Sequence, residues 1–141
     1  MATGTAGDFG QKYHTNQVHY LVHRLSYADI GTGNVAVTVG WLPPRAVVFY
    51  GHTYVITGFD DTNGDDLDIG ISGGDDDWFA SAVDVNSAVL TTFDDLTVTE
   101  AYSASARQVT VNFTTAPSGN GTTGEAIIYL EYYVAPSTSS S

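Results

Sequence analysis

The chain has 141 residues, 43% hydrophobic and 12% aromatic, enough for one globular domain with its own core. Sixteen acids against four bases (Lys12, Arg24, Arg45 and Arg107) give a formal net charge of −12, which excludes nucleic acid and anionic lipid as partners, because phosphate binding needs a cationic footprint. No apolar run approaches the roughly 20 residues of a membrane span, and the absence of cysteine excludes disulfides and thiolate metal sites.

Residues 1–14 are rich in Gly, Ala and Thr and show no period, so they read as a flexible arm with Phe9 and Tyr13 as its candidate anchors. The arm lacks the basic and apolar regions of a secretory leader, and none is expected. A domain over 15–135 follows, and nearly all of it reads as strand. In 17–26, Val18, Tyr20 and Val22 fall on one face and His19, Leu21, His23 and Leu25 on the other. After a turn at Gly31-Thr-Gly-Asn, the alternation of Val35, Val37 and Val39 marks a strand with one buried side. Pro43-Pro44 ends it sharply. Residues 45–59 form a long strand interrupted at Gly51, where a bulge or tight bend is expected.

Turn chemistry at Thr62-Asn-Gly precedes a strand over 66–71, with Leu67, Ile69 and Ile71 inward and Asp66 and Asp68 outward. Trp78, Phe79, Ala82 and Val83 stand near helical spacing behind an acidic first turn, so one short helical turn is expected near 76–84, with both aromatics plugging an open end of the fold. Shorter strand signals lie at 95–102, and Val109, Val111 and Phe113 alternate again. The last strand puts Ala126, Ile128, Leu130, Tyr132 and Val134 on one face and Ile127, Tyr129, Glu131 and Tyr133 on the other. Residues 136–141 read as a flexible tail. Seven or eight such strands without an internal repeat predict an all-β, antiparallel β-sandwich, jelly roll first and immunoglobulin-like second.

Chemistry is sparse. Eight of the 16 acids fall between Asp60 and Asp77, and Asp61, Asn63 and Asp65 have the spacing of oxygen ligands for a weak Ca²⁺ site. The EF-hand pattern fails, because Asp66 occupies its glycine position and Ser72 its bidentate glutamate. Glu131, among tyrosines, is the best single acid for glycoside hydrolysis, yet an exposed or interface glutamate is the simpler reading. His19 and His23 would lie roughly 13 Å apart along a strand, too far to share a metal. Neither a Gly-x-Ser-x-Gly elbow nor a phosphate loop occurs. An enzyme is not expected.

The most specific text lies in 35–85: Gly40-Trp-Leu-Pro-Pro-Arg-Ala-Val-Val, Thr57-Gly-Phe-Asp, Gly64-Asp-Asp-Leu-Asp-Ile-Gly-Ile-Ser and Asp75-Asp-Asp-Trp-Phe-Ala-Ser-Ala-Val-Asp-Val. This resembles a group of small β-sandwich structural proteins of tailed bacteriophages, among them capsid decoration (cement) proteins, with a looser echo in 126–134. Pro44-Arg45 stands where the resemblance leads one to expect small residues such as Ala-Gly. The resemblance implies a virion component made in the host cytoplasm and placed on the capsid surface, with the major capsid protein as partner and a homotrimer as the docking unit. Its interface candidates are Phe9, Tyr13, Pro44, Arg45, Tyr129, Tyr132 and Tyr133. The alternative is a carbohydrate- or receptor-binding module of a tail or fibre, using Trp41 or Tyr54 and the acidic loops, with Ca²⁺ as an aid.

Overall fold

The computed structural model describes residues 17–30, 36–96 and 102–136. The strands are β1 His19–Ser26, β2 Val37–Leu42, β3 Ala46–Thr57, β4 Asp66–Ile71, β5 Ala80–Asp84, β6 Leu90–Thr92, β7 Arg107–Phe113 and β8 Glu125–Val134. They form two four-stranded antiparallel sheets, in the orders β1-β8-β3-β6 and β2-β7-β4-β5. β1 pairs with β8, β2 with β7, β3 with β6 and β4 with β5, so the chain winds as one long hairpin folded over on itself. The expected all-β sandwich is the observed fold. A 3-10 turn, Tyr27–Asp29, follows β1; the Ser26 hydroxyl accepts the Ala28 N–H and the Asp29 carboxylate accepts the Ser26 N–H.

Alternation explains the core. Leu25, Val48, Val55, Ala126, Ile128 and Leu130 of the first sheet and Leu67, Ile69, Val109 and Val111 of the second meet face to face, each essentially buried. β4 is buried on part of its outer side as well, because the loop after it folds back over it. A side chain at Gly70 would come within 2.2 Å of the Asp75 carbonyl oxygen, so only glycine lets that loop lie down.

Three sequence expectations need correction. No helical turn occupies 76–84: Asp76 to Phe79 are turn and bend, and Ala80–Asp84 is β5, paired with β4. Leu67 pairs with Val83 and Ile69 with Ala80, so β5 carries an extra residue at a bulge, where Ala82 has φ 52°. That insertion sets the buried positions Ala80 and Val83 three apart, and a strand then imitates helical spacing. Gly51 marks neither a bulge nor a bend. It sits in register with Leu130, and a Cβ there would meet the Phe93 ring at 2.3 Å; the bulges of β3 fall at Phe49 and Ile56 instead. The strand expected at 95–102 lies mostly outside the described residues, Asp95 and Leu96 are not strand, and Tyr102 forms an isolated bridge with Val47.

One core residue is misplaced chemically. Thr53, on the inner side of β3, is fully buried and its hydroxyl has no hydrogen-bond partner among the described residues. An unmet buried hydroxyl costs about 1–3 kcal/mol. Thr53→Val keeps the shape and is expected to stabilise the fold by about 1 kcal/mol, raising Tm by about 3–4 °C in calorimetry. An unchanged Tm would mean that the hydroxyl is already satisfied.

Candidate interaction surface

The outer face of the β1-β8-β3-β6 sheet is the unusual part of this molecule. Register places Tyr20, Glu131 and Tyr50 in one row and Val22, Tyr129, His52 and Thr92 in the next. Ile127, Tyr54 and Leu90 continue the face, and the bulge at Phe49 turns that ring outward beside Tyr133, 6.0 Å between centroids. Tyr20, Val22 and Leu90 are each more than half exposed, at 61%, 55% and 54%. The centre is rigid. Tyr20 stacks on Tyr129 at 5.6 Å and Tyr129 on His52 at 4.7 Å, so three rings run side by side across β1, β8 and β3. Their faces are turned to one another. Such a surface offers ring edges, hydroxyls and aliphatic branches, the chemistry of a protein contact, rather than the open ring faces on which sugars lie.

Electrostatics reinforce this. The Tyr129 hydroxyl donates to Glu131 Oε1 at 2.7 Å. Burial, then the bond and charge of Glu131, push the Tyr129 hydroxyl up to about 12. His52 Nδ1 lies 3.0 Å from the Tyr50 hydroxyl, and burial lowers its pKa although Glu131 pulls the other way. Arg24 and Glu125 form an ion pair at one end of the face. The acids gather elsewhere. Asp66, Asp68 and Asp84 stand outward on the second sheet, and the loops hold Asp60, Asp61, Asp65, Asp75, Asp76 and Asp77. Burial raises Asp66, with Asp84 and Asp65 adding to it, and burial likewise raises Asp68.

Solved structures with this architecture are known, although no protein-family model and no curated protein matches the chain. A chain of the cyanophage Pam1 capsid asymmetric unit superposes with TM-score 0.64 at 16% identity, over 86% of this chain and 87% of that one. A chain of the Ralstonia phage GP4 capsid gives TM-score 0.60 at 18% identity, over 85% and 84%. The acidic stable capsid of Helicobacter pylori bacteriophage KHP30 contains another, at 0.61 and 16%, over 83% and 87%. The likeness is one of fold. It covers more than four-fifths of each chain.

The interface candidates from the sequence separate on this frame. Tyr129 and Tyr133 lie on the outer face, whereas Tyr132 points inward, packs against the core and stacks on His19 at 5.4 Å. Pro44 and Arg45 form the turn between β2 and β3. Arg45 adopts φ 67°, the left-handed backbone in which glycine is at ease, and its side chain donates to the Ala135 carbonyl at 3.1 Å. Phe9 and Tyr13 lie outside the described residues. Sequence reasoning missed Tyr20, Tyr50 and His52 as neighbours of Tyr129, since cross-strand register carries no local signal. Trp41 stands 61% exposed on the opposite sheet.

The Ca²⁺ candidates have other contacts. Asp61 is buried, and its carboxylate accepts the backbone N–H groups of Asn63, Gly64, Ser118, Gly119 and Asn120. Asn63 therefore serves Asp61 through its backbone, and Asp65 is exposed, with its carbonyl taking the Val85 N–H. Burial alone would raise Asp61, but the Ser118, Asn63 and Gly119 donors hold it well below the usual carboxylate range. Asp60, bonded by the Thr123 and Thr122 N–H groups and the Thr122 hydroxyl, falls to about 2. Asp75, Asp76 and Asp77 crowd within 4.8 Å, and a hydrogen bond to Asp75, then burial and the neighbouring charges, push Asp77 up to about 6.

These shifts act on stability in opposite directions. Asp60 and Asp61 have folded values below the ordinary 3.8, so their contribution is complete above that pH and fades as pH falls, for Asp60 through about 2. Asp77 binds its proton more tightly when folded, so its contribution is complete below 3.8 and fades as pH rises through about 6. Urea midpoints are expected to fall on both sides of pH 4, and Asp77→Asn to reduce the limb between pH 4 and 6, to which Asp66 and Asp68 also contribute. An undiminished limb in Asp77→Asn would remove Asp77 as a cause.

Proposed function

We propose that this protein is a non-enzymatic structural component of a bacteriophage virion, a decoration (cement) protein that docks on the outside of the head and stabilises it. One observation carries the reading: a chain of net charge −12 keeps one sheet face almost free of charge and lines it with aromatic rings. Charged loops and an acidic second sheet keep the free protein soluble, while the neutral face is left for a partner. The fold likeness to chains of three phage capsids points the same way. We read the winding as a jelly roll, the major capsid protein as the partner, and three copies near three-fold positions as the docking unit. Binding the assembled shell and not its loosened form would stabilise it by linkage, and many copies multiply a modest contact.

Electron microscopy of purified particles, with the protein present and deleted, tests this. Loss of regular surface density with head assembly intact is the expected result. Deletion that leaves every head feature unchanged would end the proposal. The exposure of Trp41 supports a second reading, a carbohydrate- or receptor-binding module. Retention on glycan arrays that Trp41→Ala abolishes would favour it over the first.

A further inference from the structure

We infer that the partner surface covering the first sheet is an apolar patch of the shell protein with one cationic side chain, a lysine or arginine, set at its centre against Glu131. This rests on the capsid reading above. Arg24 and Glu125 neutralise each other at one end of the face. Glu131 is then the one carboxylate of that face with no countercharge among the described residues. It stands between Tyr20 and Tyr50, and one of its oxygens takes the Tyr129 hydroxyl. Its other oxygen accepts nothing from the described residues.

While the face is open, water solvates that oxygen. Once a partner covers the rings around it, the carboxylate loses water and must be met by a donor, because an unpaired buried charge opposes association strongly. The charge of the donor follows from the carboxylate, and its setting follows from the rings. Among the described residues, no base of a second copy is placed to supply it; Lys12 lies outside them. Arg24 is already paired, Arg107 is buried, and Arg45 is bonded to Ala135 at the β2–β3 turn. The occupant we assign is a different protein, with an aliphatic or aromatic rim around one base.

The test uses heads purified from a deletion strain and the full-length protein, with binding read by co-sedimentation over a salt series. Glu131→Gln keeps the acceptor for Tyr129, and its fold is checked by Tm. It is expected to weaken docking about 30-fold at low salt and to flatten the salt dependence. Glu131→Lys is expected to abolish docking, and Asp76→Asn, in the acidic cluster off the face, to leave it unchanged. Wild-type binding that Glu131→Gln does not weaken would overturn the inference and leave the capsid reading standing. Wild-type protein that binds no head would overturn the capsid reading, and the inference with it. Self-association of the wild type that Glu131→Gln disrupts, measured by sedimentation velocity, would show that a second copy covers the face, and would also overturn it.

Discussion

Asp61→Ala is expected to destabilise the fold by about 3–5 kcal/mol, measured by urea unfolding at pH 7. The carboxylate ties two loops that are distant in sequence. Asn63 and Gly64 belong to the connection between β3 and β4, while Ser118, Gly119 and Asn120 belong to the connection between β7 and β8. Removing it strips five backbone N–H groups of their acceptor, that of buried Gly64 and those of Asn63, Ser118, Gly119 and Asn120, which belong to exposed residues. None of them has a regular ladder to fall back on, and each unmet donor costs about 1–3 kcal/mol when water cannot reach it. Water at the four exposed residues and relaxation of the loops recover much of that, which keeps the total well below the simple sum. Asp61→Asn is expected to cost nearly as much, since its amide would turn an N–H toward donors that need an acceptor. A loss under about 1 kcal/mol for Asn would show that the negative charge does not organise this end of the sandwich.

The same residue shows why part of the site escaped the sequence. Asp61, Asn63 and Asp65 read as oxygen ligands because a loop folded around a cation and a loop folded around a carboxylate share their residue types. What distinguishes them is the Ser118-Gly-Asn donor set, 57 positions away, which local spacing cannot bring into view. The sandwich was legible because Val109, Val111 and Phe113, like Ala126, Ile128 and Leu130, keep a period of two without interruption. Tyr129 and Tyr133 could be set on one face by the same count. Grouping Tyr132 with them ignored the period that placed it beside Leu130. The rest of the surface depends on which strands are neighbours: Tyr20 and His52 become partners of Tyr129 only when β1 and β3 flank β8. Where the period broke, so did the reading. The bulge in β5 shifted one residue, and a strand took on the spacing of a helix.

Phe79→Ala tests the segment that the bulge disguised, and a loss of about 3–5 kcal/mol is expected. The ring is fully buried, although it sits in the turn before β5 and not within a strand. Two backbone bonds hold the turn in place: the Phe79 N–H donates to the Ile69 carbonyl at 2.8 Å, and the Phe79 carbonyl accepts from Asp95. The Arg107 guanidinium lies 5.8 Å from this ring and 5.9 Å from that of Trp78, so the two aromatics and one cation close the end of the sandwich together. Because the turn is pinned by its backbone, the space left by the ring cannot collapse fully, and the cavity adds to the lost transfer energy. Tryptophan emission offers a local readout of the same event. Trp41 is already 61% exposed and its emission should not move, so a red shift in Phe79→Ala reports Trp78 alone. A variant that loses less than about 1 kcal/mol and keeps its emission would mean that the end of the sandwich is closed by other residues, and that Phe79 is buried without being needed.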